Sequence, residues 1–230
     1  MERHFDEELK EVREKLLAMA ALVEDALRTV MAALQTRDPR LAESIFEIDK
    51  KIDQFEMDIE EKCVELIALR QPMASDLRFL VGVIKINNDL ERMGDHAVNI
   101  AQSTKAIAGE PPSWLPIDLP QMADVALRML HDSLDSFVGG DVEKAREVCR
   151  QDSVVDRLKK DFIVGVLTYA PQHPEKVAES IHLILVSRNL ERIADLSTNI
   201  AEEVIYITQA RVIKHRVEER KEGPKPPKRM

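Results

Sequence analysis

Apolar residues recur at helical spacing along most of the chain. Leu9, Val12, Leu16, Met19, Val23, Ala26, Val30 and Ala33 form one stripe with steps of three and four, which predicts a first helix from about Phe5 to Leu34. Arg37-Asp38-Pro39 ends it. Asp38 as N-cap and Pro39 in the first turn then predict a second helix to about Arg70, with Leu41, Ile45, Ile48, Ile52, Phe55, Ile59 and Leu66 on its buried side. After Gln71-Pro72, Ser75 or Asp76 caps a third helix that reaches about Ile107. Residues 109–120 contain four prolines and no helical period, so they read as a connector.

Beyond the connector the pattern returns. The stretch from Leu90 to Ala101 recurs from Leu190 to Ala201, with seven of twelve positions identical. Asp141 takes the capping place of Asp38, and Asp152/Asp156 stand where Asp49/Asp53 stood. The offset is 103 residues at Asp152 and 100 at Glu191, so three residues are lost around Tyr169–Pro174, where a loop tolerates it. A repeat of this length, with short connections inside each unit, is a duplicated domain rather than a solenoid. The expected fold is all-α: two tandem three-helix bundles over residues 1–108 and 121–213, a Pro-rich linker over 109–120, and a basic tail over 214–230 that reads as disordered.

One face breaks the simple amphipathic rule. At roughly 100° per residue, Asn88, Glu91, Asp95 and Asn99 share a face whose earlier turns carry Leu77, Leu80, Val81 and Ile84. The opposite stripe, Val83, Ile86, Leu90, Met93, Ala97 and Ile100, stays apolar, so these carboxylates are not merely a solvent side. Asp49, Asp53, Glu56 and Glu60 flank the buried stripe of the second helix. Like charges four residues apart oppose a helix by roughly 0.2–0.5 kcal/mol per pair, so four such pairs call for compensation. If the second and third helices of each bundle lie side by side, Asp49, Asp53, Glu91 and Asp95 face one groove, and Asp152, Asp156, Glu191 and Asp195 another. Oxygen donors of this kind suit divalent or trivalent metal ions such as Mg, Mn, Ca or Fe, with Asn99 or Asn199 as a neutral ligand. The competing account is local ion pairing of Arg92 with Asp95, Arg192 with Asp195 and Arg188 with Glu191.

Composition narrows the function. The net charge is −9, and residues 211–230 hold eight Lys/Arg against three Glu, which leaves −14 on residues 1–210. An acidic body argues against nucleic acid and favours cations or basic protein surfaces. No signal pattern and no long apolar run occur, so the expected location is the cytoplasm. Cys63 and Cys149 lie in apolar-periodic helices and read as buried free thiols. Trp114 is expected to pack the linker onto the bundle, and His96 and the other scattered histidines to make surface or local contacts. Glu179-Ser180-Ile181-His182 has the spacing of a di-metal oxidase ligand pair, but it lacks a second copy and projects away from Glu191/Asp195. No phosphate-cradling Gly loop or nucleophile elbow accompanies it, so no enzyme is expected.

The duplicated acidic motifs, Asp49/Asp53, Glu91/Asp95, Asp152/Asp156 and Glu191/Asp195, resemble those of the PhoU family, and the resemblance spans residues 3–210. It implies the six-helix fold already read from the periodicity. It also implies multinuclear iron or another divalent metal at those carboxylates, with Mg or Mn as alternatives. The function implied is regulation of phosphate uptake and repression of the phosphate-starvation response. The partners implied are the phosphate ABC transporter ATPase and a phosphate-sensing histidine kinase, with a homodimer also in view and the membrane reached only through partners. The alternative is a metal-binding or storage helical protein without a signalling role. The basic Gly223–Met230 extension is no part of the family pattern.

Overall fold

The computed structural model describes residues 2–109 and 119–213, with side chains from residue 5 onward. Six helices follow one another: α1 (Glu2–Thr36), α2 (Pro39–Arg70), α3 (Ala74–Ile107), α4 (Leu119–Gly139), α5 (Val142–Tyr169) and α6 (Val177–Gln209). Two short 3₁₀ turns, Ala170–Gln172 and Pro174–Lys176, join α5 to α6. The fold is all-α and built from two like halves.

Local chemistry sets most of the ends. The Asp38 carboxylate accepts the amides of Arg40 at 2.8 Å and Leu41 at 3.4 Å, and Asp141 accepts that of Lys144 at 3.0 Å. The expected cap of α3 is not formed: its N-cap is Met73, and Ser75 Oγ donates instead to Asp76 at 3.2 Å. Asp76 still favours the positive end of α3 from within the first turn. The connector is shorter than its composition implies, because α4 already begins at Leu119. Trp114, most of the linker and the tail over 214–230 lie outside the described residues.

Neighbouring helices within each half run antiparallel. Arg70 on α2 meets Glu8 on α1 at 2.8 Å, and Asn87 Nδ2 on α3 donates to the Glu56 carbonyl on α2 at 2.9 Å. The α3 stripe is fully buried at Val83, Ile86, Leu90, Met93, Ala97 and Ile100, whereas Leu77 on the other face is 40% exposed. In α2 the register held at Ile45, Ile52, Ile59 and Leu66, but Leu41 is exposed and Ala42 and Cys63 fill the core.

The halves are not beads on a string. They meet along α3 and α6, which run antiparallel with Gly82 against Ile207, Lys85 on Glu203 at 3.0 Å and His96 on Asn189 at 2.9 Å. Further along, the Arg13 guanidinium lies over the Phe79 and Phe137 rings at 5.2 and 5.6 Å, so α1, α3 and α4 share one cation–π cluster. Gly82 permits the close approach: a Cβ there would stand 2.5 Å from Ile207 Cδ1 and 2.6 Å from its Cγ1. Gly82→Leu is therefore expected to cost about 1–3 kcal/mol by overpacking this seam, read as a lower urea midpoint. Gly82→Ala should cost less, because the half-buried Ile207 can turn aside and alanine gains about 1 kcal/mol of helix propensity over glycine.

Candidate functional site

In the first half, the antiparallel packing of α2 on α3 brings the predicted carboxylates to one groove. Burial raises the pKa of Asp49 to about 6, and the neighbouring charges of Asp53 on its own helix and Asp95 on α3 add to the shift. Glu91 is likewise raised, first by burial and then by Asp95, Asp53, Glu56 and Asp49. Glu56 is raised by burial and by Glu60 and Asp53. Gly94 helps to make the room, since a Cβ there would sit 3.1 Å from Asp49 Oδ1 and 3.2 Å from Ile52 Cδ1. Asp49, Asp53, Glu91 and Asp95 take part in no ion pair among the described residues. Arg92, three residues before Asp95, turns back to Asp89 at 3.7 Å. The expected Arg92–Asp95 pair is thus not made.

The second half has the same carboxylates in different company. Asp152, Asp195 and Asn199 line a cavity of about 250 Å³ where α3, α5 and α6 meet, together with Arg92, His96 and Arg192. Lys159 Nζ sits 2.7 Å from Glu191, and Arg192 lies 3.0 Å from Asp195 and 3.8 Å from Glu191. Asp195 is nevertheless raised, because burial and the charge of Glu191 outweigh Arg192. Local ion pairing therefore holds at Arg192–Asp195, as one reading of the sequence expected.

The four carboxylates of the first half have the donor chemistry of a hard-cation site, a set of mutually repelling oxygens with no counter-charge. As they stand, no three carboxylate, His or Cys side chains among the described residues close on a single ion. Asn99 lines a groove of about 440 Å³ beside α6 with His182, Arg188, Asn189 and Arg192.

Several residues play parts the sequence did not disclose. His96 bonds Asn189 across the seam, and burial lowers its pKa despite that bond. Glu179 is 2% exposed and is held by Arg37, with Lys176 at 3.1 Å, so it ties the α1–α2 turn to the start of α6. Cys63 and Cys149 are buried and form no disulfide, and burial pushes Cys63 up to about 12. None of the six helices is long and apolar enough to cross a membrane.

Residues 16–104 and 119–204 match the family model described as the PhoU domain. The chain is 38% identical to the phosphate-specific transport system accessory protein PhoU homolog of Aquifex aeolicus over 208 residues, covering 90% of this chain and 94% of that one. It is 37% identical to the corresponding homolog of Pseudomonas putida over 215 residues, 93% of this chain and 84% of that one. Two crystal structures are similar. PhoU from Pseudomonas aeruginosa aligns with a TM-score of 0.86 at 37% identity, over 90% of this chain and all of that one (100%). The phosphate transport system regulatory protein PhoU from Streptococcus pneumoniae aligns with a TM-score of 0.81 at 29% identity, over 90% of this chain and 98% of that one.

Proposed function

The chain belongs to the PhoU family, and from that premise we propose that it is a non-enzymatic accessory regulator of phosphate-specific transport. It works by protein contact at the cytoplasmic face, with the ATPase of the phosphate ABC transporter and with a phosphate-sensing histidine kinase. The observation that carries this reading is the match of both halves to the same domain, over nearly the whole of relatives named as accessory proteins of that transport system. The acidic body, −14 over residues 1–210, supports recognition of basic partner surfaces.

Binding to the purified transporter ATPase tests it. The expected result is capture that survives deletion of residues 221–230 and weakens as salt rises from about 0.05 to about 0.5 M, because rim charges are screened over that range. No capture of either the ATPase or the kinase at low salt would overturn the reading. Loss of capture on deletion alone would move the docking element into the tail.

Part of the same proposal is a metal-dressed acidic groove between α2 and α3. Asp49, Asp53, Glu91 and Asp95 would hold a divalent or trivalent cation there, iron or manganese among them. The support is the partial burial of Asp49 and Glu91, the mutual repulsion of the four carboxylates and the absence of ion pairs at them among the described residues. A bound cation would supply the missing positive charge and tie α2 to α3.

A further inference from the structure

We infer that the two acidic grooves are not equivalent: metal is held between α2 and α3 alone, while Lys159 and Arg192 are the resident counter-charges of the groove between α5 and α6. The inference rests on the metal reading above and departs from the symmetric pair of sites that the duplicated motifs imply.

Two sequence differences between the halves carry it. At the offset that aligns Asp49 with Asp152, Lys159 stands where the first half has Glu56. Its ammonium reaches Glu191 at 2.7 Å, whereas Glu56 adds its negative charge to the field on Glu91. At the offset that aligns Glu91 with Glu191, Asn189 stands where the first half has Asp89. With Asp89 three residues behind it, Arg92 is drawn back to 3.7 Å from that carboxylate and away from Asp95. With the neutral Asn189 behind it, whose Oδ1 is bonded by His96, Arg192 turns forward to Asp195 at 3.0 Å. Both differences act in the same direction. The first gives the α2–α3 groove a carboxylate where the α5–α6 groove has a cation; the second turns Arg92 away from Asp95 and leaves Arg192 on Asp195. A metal entering the second groove would have to displace Lys159 and Arg192 and leave their charges beside its own, which Coulomb repulsion opposes. Lys159 is three-quarters buried against Glu191, so its displacement also exposes a formed ion pair.

The test is Mn(II) binding to the full-length, chelator-treated chain, followed by calorimetry and by elemental analysis after desalting. Asp49→Asn with Asp95→Asn should weaken binding at least tenfold. Asp152→Asn with Asp195→Asn should leave affinity and stoichiometry within twofold of the parent. Lys159→Glu, which restores the charge present at Glu56, should add a second class of sites, and the milder Lys159→Gln a weaker one. In the metal-free protein, Lys159→Gln should lower the melting midpoint and Glu56→Gln should raise it. Equal loss from the two Asn pairs, or loss from the second pair alone, would overturn the inference and leave metal binding standing. An absence of Mn(II) and Fe(II) binding in the parent and every variant would overturn both. A melting midpoint raised by Lys159→Gln would also overturn the assignment of Lys159 as resident cation.

Discussion

Arg37→Ala is expected to cost about 3 kcal/mol of folding stability, a large part of the 5–15 kcal/mol that holds a typical domain together. Arg37 is only 10% exposed and is paired with Glu179, itself 2% exposed, across the two halves. Removing one partner leaves a buried charge with reduced compensation, which is far worse than never having had the pair. Lys176, 3.1 Å from the other Glu179 oxygen, keeps the loss at the lower end of the range for buried pairs. The backbone shows what the pair is worth: Arg37 sits at φ 56°, in the left-handed region, at the place where the second half uses Gly140 at φ 63°. A side chain in that region costs on the order of 1–2 kcal/mol. Glycine at 37 would relieve the strain, yet the chain keeps arginine there, and the contact with Glu179 is what offsets it. Arg37→Gly should therefore be about 1 kcal/mol better than Arg37→Ala while still less stable than the parent. Replacing both partners, Arg37→Met with Glu179→Leu, should recover part of the loss, because the two paired charges leave together and only Lys176, 16% exposed, loses the Glu179 carboxylate. Urea unfolding at constant slope reads all four. A parent and an Arg37→Ala variant of equal midpoint would mean that the pair is solvated and that the halves are held by the α3–α6 seam and the Arg13 cluster without it.

The sequence disclosed what depends on period and on short-range chemistry. The α3 stripe, the Asp38 and Asp141 caps and the duplication at Leu90 and Leu190 are all local signals, and each has its counterpart in the fold. The convergence of Asp49 and Asp53 on Glu91 and Asp95 followed from antiparallel packing of adjacent helices, again a short step. What the sequence concealed is the relation between halves. Periodicity says that a face is apolar but not which helix covers it, so the α3–α6 seam, the role of Gly82 and the Arg37–Glu179 tie were invisible. The direction of an arginine is of the same kind. Arg92 and Arg192 occupy equivalent positions next to equivalent aspartates, and the choice between turning back and turning forward is made by residue 89 or 189, one turn away. The surroundings of Asn99 are of the same kind: helical projection puts it on the acidic face, but not beside the α6 residues with which it lines a groove.

Loading the metal-free chain with Mn(II) or Fe(II) is expected to raise its stability by about 2.7 kcal/mol at a free concentration one hundred times the dissociation constant, since a ligand bound only by the folded state stabilises by linkage. For a chain of this size that is a rise in melting midpoint of roughly 5–10 °C. The metal-free groove carries the opposite sign of effect. Burial and the charges of Asp53 and Asp95 raise Asp49 from its ordinary 3.8 to about 6, so the folded chain binds its proton more tightly than the unfolded one. That group's contribution is fully present below about pH 4 and is lost as pH rises through 6. The metal-free protein should accordingly be more stable at pH 5 than at pH 7, by on the order of 1 kcal/mol after solvent screening of a half-exposed group. Metal competes with that proton, so the stabilisation it brings should be larger at pH 7 than at pH 5. Asp49→Asn separates the terms. It removes a repelling charge with almost no change of shape, so the metal-free variant should melt above the metal-free parent, show a flatter pH dependence between 4 and 7, and respond less to added metal. The two melting curves would then cross as metal is added, a pattern that a merely structural aspartate does not produce. A variant that melts below the parent both with and without metal would show that Asp49 stabilises the fold through contacts of its own, and would remove the groove between α2 and α3 from consideration as a cation site.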